Sequence, residues 1–327
     1  MSMRGAIVVR ETGGPEVLEW TERDPGTPGP DQVLVRHTAV GLNFIDVYHR
    51  TGLYPAELPF TPGAEGAGVV EAVGEGVDDL AVGDRVAYTS NGPIGSYCEA
   101  RVLPRWRLVK LPDAISDETA AAIMVKGCTV EYLVRRTYAV RPGDDVLLTA
   151  AAGGVGLIAC QWLRALGANV IGTVGTPEKG ELARENGCDH VILYRDEDIA
   201  ERVAEITDGR GCAVAFDSVG KSTFEASLRS LRPRGTLVTF GNASGPVDPI
   251  SPLVLSRNGS LFLTRPTLGH YYATPEETAD GIGAVFDMIV SGQIRPHVGA
   301  RYPLKDVAYA HRALEARETV GSTVLVA

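Results

Sequence analysis

The first chemical signal lies in Ala150-Ala151-Ala152-Gly153-Gly154-Val155-Gly156, set between an apolar run and a helix-forming one. Small residues there let the chain turn tightly, let backbone approach a pyrophosphate, and let a helix pack close to its strand. The helix that follows offers free N–H groups and the positive end of its dipole to phosphate oxygens. Ala151 stands where the first glycine of Gly-x-Gly-x-x-Gly normally sits, so the strict pattern is not met. Such a loop alone is often only a turn. At the head of a strand–helix–strand run it predicts a dinucleotide site.

The next strand chooses between dinucleotides. NAD sites usually carry Asp or Glu about 20 residues past the loop, where it holds the ribose 2′-hydroxyl. Here Val170-Ile171-Gly172-Thr173-Val174 ends in Gly175-Thr176, with no carboxylate at the tip. Gly175 leaves room for a 2′-phosphate, Thr176 can donate a hydrogen bond, and Lys179 brings charge one helical turn on. The plainer reading makes Lys179 a solvated residue at a helix start beside Pro177. An absent acid with a base nearby predicts NADPH.

Metal is not expected. Zinc needs grouped Cys or His ligands, and the N-terminal half offers His37, His49 and Cys98 with no pairing that suggests a site. His49, on a predicted helix beside Tyr48, reads as an ordinary surface residue. The five cysteines (Cys98, Cys128, Cys160, Cys188, Cys212) are odd in number, widely spaced and outside any Cys-x-x-Cys pattern. They read as free buried thiols in a reducing, cytoplasmic setting. Cys128, within Lys126-Gly127-Cys128-Thr129, has no histidine near it in sequence and reads as a small buried thiol, not a nucleophile.

These groups need a scaffold, and 327 residues with 44% hydrophobic content predict two domains. The 38 glycines, without a collagen-like period, mean many tight turns between short elements. The first hundred or so residues read as short strands of an irregular β-barrel, among them 32–40 and 66–74 before the turn Gly83-Asp84-Arg85-Val86. After Pro112 a helix is predicted over 117–134, N-capped by Ser116. Strands at 145–149, 169–174, 191–193, 213–217 and 236–240 then alternate with helices at 157–166, 177–186, 196–207 and 224–231. That alternation means right-handed βαβ units and a doubly wound parallel sheet. Regularity lapses near Pro266, before a helix at 275–291 and a closing strand at 322–326.

The formal charge of -10 is spread along the chain and argues against nucleic acid as a partner. The apolar part of the N-terminal stretch Met1–Arg10 is too short for a signal peptide, and no run is long enough to span a bilayer.

Further segments complete a pattern: Gly41-Leu42-Asn43-Phe44-Ile45-Asp46, Gly52-Leu53-Tyr54-Pro55, Pro62-Gly63-Ala64-Glu65-Gly66-Ala67-Gly68, Asp217-Ser218-Val219-Gly220, Phe240-Gly241-Asn242 and Thr264-Arg265-Pro266-Thr267. With the glycine loop they resemble the zinc-free quinone oxidoreductases of the medium-chain dehydrogenase/reductase superfamily, the ζ-crystallin-like reductases and their bacterial relatives. The resemblance covers essentially the whole chain. Zinc alcohol dehydrogenases of that superfamily read Gly-His-Glu where this chain has Gly63-Ala64-Glu65, so Ala64 replaces the ligand histidine. Their catalytic cysteine near 43–46 and their four-cysteine lobe are also missing.

The resemblance implies an α/β protein: a GroES-like β-barrel catalytic domain over 1–123 and 266–327, and a Rossmann NADPH-binding domain over 124–265. It places Asn43, Asp46, Tyr48 and Tyr54 in an interdomain cleft beside the nicotinamide, with Thr129 near the ring. Gly153, Gly154 and Val155 would hold the pyrophosphate. Gly175, Thr176, Lys179 and Tyr194 would surround the 2′-phosphate, with Arg317 closing over it. Ser218, Phe240 and Asn242 would border the ribose and nicotinamide, and Thr264 belongs to the same cofactor set. Each has a plainer alternative: Tyr48 and Tyr54 as half-buried aromatics, Asp46 as a helix cap.

The implied activity is NADPH-dependent reduction of a small quinone, mainly by holding donor and acceptor in reactive geometry. Asn43 or a tyrosine hydroxyl would steady the charge that develops on the acceptor oxygen. An enone or alkenal reductase using the same cleft, and an NADPH-binding protein with little catalysis, are the rivals. A homodimer is implied too, with Ser260-Leu261-Phe262-Leu263 pairing across a two-fold axis; an internal strand is the competing reading.

Overall fold

The computed structural model describes residues 3–89 and 94–327; Met1 and Ser2, which begin the N-terminal stretch read above, lie outside them. In chain order come β1 (Arg4–Val8), β2 (Glu19–Arg23), β3 (Gln32–Leu42), α1 (Phe44–Arg50), β4 (Glu65–Val73), β5 (Arg85–Thr89), β6 (Ala100–Pro104) and β7 (Val109–Lys110). Next are α2 (Asp117–Tyr132), β8 (Asp145–Leu148), α3 (Gly154–Ala165), β9 (Asn169–Val174), α4 (Pro177–Glu185), β10 (His190–Leu193) and α5 (Ile199–Ile206). β11 (Cys212–Asp217), α6 (Phe224–Arg229), β12 (Leu231–Thr239), α7 (Leu253–Arg257), β13 (Phe262–Thr264) and α8 (Leu268–Tyr271) follow. The chain closes with α9 (Pro275–Val290), β14 (Val298–Pro303), α10 (Val307–Glu315) and β15 (Ser322–Val326).

Two compact units result. One holds Met1–Cys128, Tyr272–Gly283 and Pro296–Ala327; the other holds Thr129–Tyr271 and Ala284–Arg295.

In the first unit β3 is the organising strand. It pairs with β4, β6 and β15, in a sheet ordered β14-β15-β3-β4-β5-β7. Val33, Val35, His37 and Ala39 are buried while the residues between them are half-buried, the period of two that its sequence predicts. From Ala39 to Leu42 both faces are covered. Gly41 shows why: a Cβ there would stand 2.3 Å from the Ala121 carbonyl oxygen, because α2 lies directly against the strand. Ser116 caps α2 as expected, accepting from the Thr119 N–H at 3.1 Å.

The second unit is a parallel sheet ordered β10-β9-β8-β11-β12-β13. The chain runs outward from β8 to β10, then returns to β11 on the other side of β8. That reversal is the point where open α/β sheets bind ligands, beyond the carboxyl ends of their strands. Leu147, Ile171, Ile192, Ala215 and Leu237 form its apolar heart with Val203, Leu228 and Leu231.

The structure departs from the sequence reading in several places: 124–128 fall in the first unit, and 266–271 and 284–295, expected in the catalytic domain, fall in the second. α3 starts at Gly154, not Leu157, because packing on the sheet overrides the weak helix propensity of the glycines. The β1–β2 pair and β14 were not expected; β14 alternates half-buried and exposed residues with a glycine and a proline, which hides its strand pattern. α10 was missed as well, although Val307, Ala310, His311 and Leu314 stand at i, i+3, i+4 and i+7.

Asp217, at the end of β11, ties the second unit together. Fully buried, it accepts from the N–H groups of Val219 (2.8 Å) and Gly220 (3.0 Å), from Thr223 Oγ1 (2.8 Å) and from Ser227 Oγ (2.9 Å). Truncating it leaves four donors facing a void. Asp217→Ala is expected to lose on the order of 3 kcal/mol of stability, read as a lower urea midpoint; an unchanged midpoint would contradict this role.

Candidate active site

The glycine loop is built round two contacts. Gly156 can carry no side chain, since a Cβ there would fall 2.3 Å from the Ala150 carbonyl oxygen. Ala151 is tolerated for a complementary reason. The left-handed turn is made by Ala150 (φ 53°), so the following residue needs no glycine. The Ala151 methyl sits over Gly172 of β9, where a Cβ would be only 2.7 Å away. The N–H groups that every helix leaves unsatisfied in its first turn receive no side-chain cap from Gly153. Gly153, Gly154 and Val155, all half-buried, stand where those groups begin. This cradle fits a dinucleotide pyrophosphate.

The end of β9 fits a 2′-phosphate. A Cβ on Gly175 would stand 2.7 Å from the Tyr194 hydroxyl and 3.5 Å from Arg195 Nε. Parallel pairing of Val174 with Leu193 puts these positions side by side. Thr176 caps α4, its Oγ1 accepting from the Lys179 N–H at 3.4 Å. Gly175, Thr176, Lys179 and Tyr194 therefore gather at one corner of the sheet. Arg195, exposed and one residue past Tyr194, was missed. The signal was there, a cation next to a flagged tyrosine, but its direction needs the strand register.

Ser218, Phe240 and Asn242 also come together. The Ser218 N–H donates to Thr149 Oγ1 (2.9 Å), the Phe240 N–H donates to the Asp217 carbonyl (2.8 Å), and a Cβ on Gly241 would touch the Ser218 carbonyl at 2.1 Å. Thr264 pairs with Val238 one strand further out. Thr129 is half-buried on α2. Arg317 lies in the first unit, exposed, just past α10 and with a left-handed φ of 60°.

In the first unit the key side chain is one that the sequence reading named within a motif but gave no role. Glu65, with no exposed surface, accepts from Asn43 Nδ2 (2.7 Å), the Val125 N–H (2.5 Å) and Lys126 Nζ (3.0 Å). It thereby fixes the orientation of the Asn43 amide. A carboxylate opening the apolar, glycine-rich run 65–70 was its signal.

Asp46 is fully buried and caps α1, its Oδ2 accepting from the Asn43 N–H at 2.9 Å. Burial pushes its pKa up to about 7, although the Asn43 N–H and the Tyr97 hydroxyl pull the other way. Tyr48 is buried and Tyr54 half-buried, their rings 5.1 Å apart at 60°. His49 is not a surface residue: it is half-buried, edge-on to Tyr54 at 5.9 Å.

Behind Asp46 runs a chain of buried polar groups. Tyr97 Oη lies 2.9 Å from Asp46 Oδ2 and 3.2 Å from His311 Nε2. Arg50 Nη1 lies 3.0 Å from His311 Nδ1, and Arg50 makes a forked pair with Glu315, Nη1 to Oε1 at 2.7 Å and Nη2 to Oε2 at 2.9 Å.

Comparisons with known proteins place the chain in a family. An alcohol dehydrogenase GroES-like domain model matches residues 29–113, and a zinc-binding dehydrogenase model matches 154–289. A quinone oxidoreductase of Pseudomonas aeruginosa is 54% identical, covering 96% of this chain and 97% of the relative. A 2-haloacrylate reductase of a Burkholderia species is 46% identical over 98% of both. The Escherichia coli quinone oxidoreductase complexed with NADPH superposes with a TM-score of 0.96 at 46% identity, covering 99% of this chain and 100% of that one. The chain belongs to the quinone oxidoreductases of the medium-chain dehydrogenase/reductase superfamily.

For this quinone oxidoreductase family member, the histidine and cysteine inventory needs one correction. His37 and Cys98, read as unpaired, adjoin: His37 Nδ1 is 2.6 Å from the Cys98 carbonyl oxygen and 3.9 Å from its Sγ. Burial holds the His37 pKa down to about 4 and pushes the Cys98 thiol up to about 11, so both are neutral at pH 7. Among the described residues no three His, Cys, Asp or Glu side chains gather as a metal-ligand set. All five cysteines are buried and free.

These shifts give stability a pH dependence. His311 and His37, held down to about 3 and about 4 by burial, contribute stability that is present above the ordinary value of 6.5 and lost on acidification. Asp46, raised to about 7, works in the opposite sense: its contribution is lost as pH rises from 3.8 through 7. Between pH 4.5 and 6 each histidine changes stability by about 1.4 kcal/mol per pH unit. His311→Gln is expected to lower the slope of stability against pH by that amount, measured from urea midpoints across the window. A slope equal to that of the parent would mean His311 is charged in the folded protein.

Proposed function

We propose that the protein is an NADPH-dependent quinone reductase that works without metal. The observation that carries this is the end of β9, where Gly175-Thr176 offers no carboxylate to a ribose 2′-hydroxyl while Tyr194 and Arg195 stand against Gly175, in a chain of this family. NADPH, when bound, supplies the two electrons that reduce the quinone as a hydride.

The chain's own residues do the rest. Gly153, Gly154 and Val155 bind the pyrophosphate through backbone N–H groups, as a helix start favours. Lys179, Tyr194 and Arg195 donate to the 2′-phosphate, where charge-assisted hydrogen bonds are the strong kind. Thr129, Ser218, Phe240, Asn242 and Thr264 line the ribose and nicotinamide. Asn43 has two amide hydrogens; Glu65 takes one, and the other donates to the acceptor oxygen as negative charge develops there. Tyr48 and Tyr54, their rings tilted 60° to each other, offer an aromatic corner to a planar acceptor, and their hydroxyls can supply its proton. Asp46, without exposed surface, orders this group instead of touching substrate.

A second reading is reduction of an activated alkene, favoured by one observation: the 2-haloacrylate reductase is as similar as the Escherichia coli quinone oxidoreductase, at 46% identity. A homodimer is proposed through β13. It is the last strand of its sheet, with Phe262 63% exposed, and pairing with a second copy would cover that edge. A cytoplasmic setting is supported by the five free thiols; no helix of the described residues is long and apolar enough to cross a membrane.

Chelator-treated protein with NADPH is expected to turn over small quinones; turnover of haloacrylates or enones alone would move the activity to alkene reduction. Lys179→Ala and Arg195→Ala are each expected to raise the KM for NADPH about tenfold and to leave that for NADH unchanged. Equal effects on both cofactors would place the 2′-phosphate elsewhere.

A further inference from the structure

The hydrogen-bond chain behind Asp46 has only one consistent direction. An arginine can only donate, so Arg50 Nη1 must donate to His311 Nδ1 at 3.0 Å, leaving the ring proton on Nε2. Nε2–H then donates to Tyr97 Oη at 3.2 Å, which directs the tyrosine O–H to Asp46 Oδ2 at 2.9 Å. The same Oδ2 accepts the Asn43 N–H, while Asn43 Nδ2 is held by Glu65, itself paired with Lys126. Arg50, Tyr97 and His311 are each at most 1% exposed, so no rotation into water can loosen the chain cheaply. Its outer end is Glu315, whose side chain is 34% exposed.

We propose that Tyr97 and His311 are positioning residues for the reductase reaction, acting through Asp46 to hold Asn43 where its amide meets the acceptor oxygen. The proposal rests on the assignment of Asn43 made above. Neither residue touches substrate. The charged and titratable groups facing Asp46 are Tyr97, Glu65 on β4 and Lys126 on α2, with His311 and Glu315 on α10 and Arg50 on α1 lying behind Tyr97. Ionised Asp46 grips both the Asn43 N–H and the Tyr97 O–H; a proton on the carboxylate weakens that grip. Since Asp46 titrates at about 7, kcat should fall as pH drops through neutrality.

The test is the pH profile of kcat and KM from pH 5.5 to 9 for the parent, Tyr97→Phe, Asn43→Ala and the double variant. Tyr97→Phe removes a donor to the ionised carboxylate, which raises its pKa. The acidic limb should move up by about one pH unit, with kcat about fivefold lower at pH 7, recovered at pH 9, and the KM for NADPH unchanged. A merely structural role would lower kcat at every pH. In the Asn43→Ala background, Tyr97→Phe should have no further effect on kcat. If Asn43→Ala lowers kcat but Tyr97→Phe leaves the limb in place, the positioning role is wrong and the Asn43 assignment stands. If Asn43→Ala leaves kcat unchanged, both fall. His311→Gln gives a second, independent reading, with a smaller shift in the same direction.

Discussion

A carboxylate taken out of water must be surrounded by donors, and each unit of this protein is arranged round one. In the first unit Glu65 binds the end of β3 through Asn43 and the body of α2 through Val125 and Lys126. In the second, Asp217 binds the turn after β11 and the start of α6. Both have no exposed surface. An unpaired charge at such depth costs several kcal/mol, so the elements that supply donors cannot drift. The carboxylates thus fix the backbone beside them, and the residues assigned to catalysis and to the nicotinamide are among those neighbours.

Close contacts do the complementary work. The cofactor cradle is defined by places where a methyl group cannot go, at Gly156 against Ala150 and at Gly175 against Tyr194. Backbone can then approach phosphate, and the tip of β9 itself carries no carboxylate to hold a ribose 2′-hydroxyl. One substitution in the motif, Ala151 for glycine, is compensated across the sheet by Gly172. A strict pattern search would score it as a defect; packing makes it neutral.

Asp46 joins these themes. It caps α1, which is the plainer reading of its sequence position, and its pKa near 7 arises because burial outweighs two good donors. Cap and functional assignment are compatible, since the cap acts on the very residue, Asn43, whose amide is assigned to the acceptor.

Sequence alone determined the parallel sheet, the loop, the missing carboxylate at the tip of β9 and the lack of a histidine at Ala64. These signals are local: a βα unit spans few residues, and a two-residue or 3.6-residue period needs no tertiary partner to be read. It also named Gly175, Thr176, Lys179 and Tyr194 as one group, Tyr194 only through resemblance, and these positions adjoin at the end of β9. The tertiary structure decided Glu65, Tyr97, Arg50 and His311, whose separations reach 261 residues between Arg50 and His311. It also joined His37 to Cys98, aimed Arg195 at Gly175, and made a cap of Asp46. Partners so far apart in the chain leave no periodic trace. Whether a buried polar residue is satisfied depends on donors that only the folded chain brings within 3 Å or so.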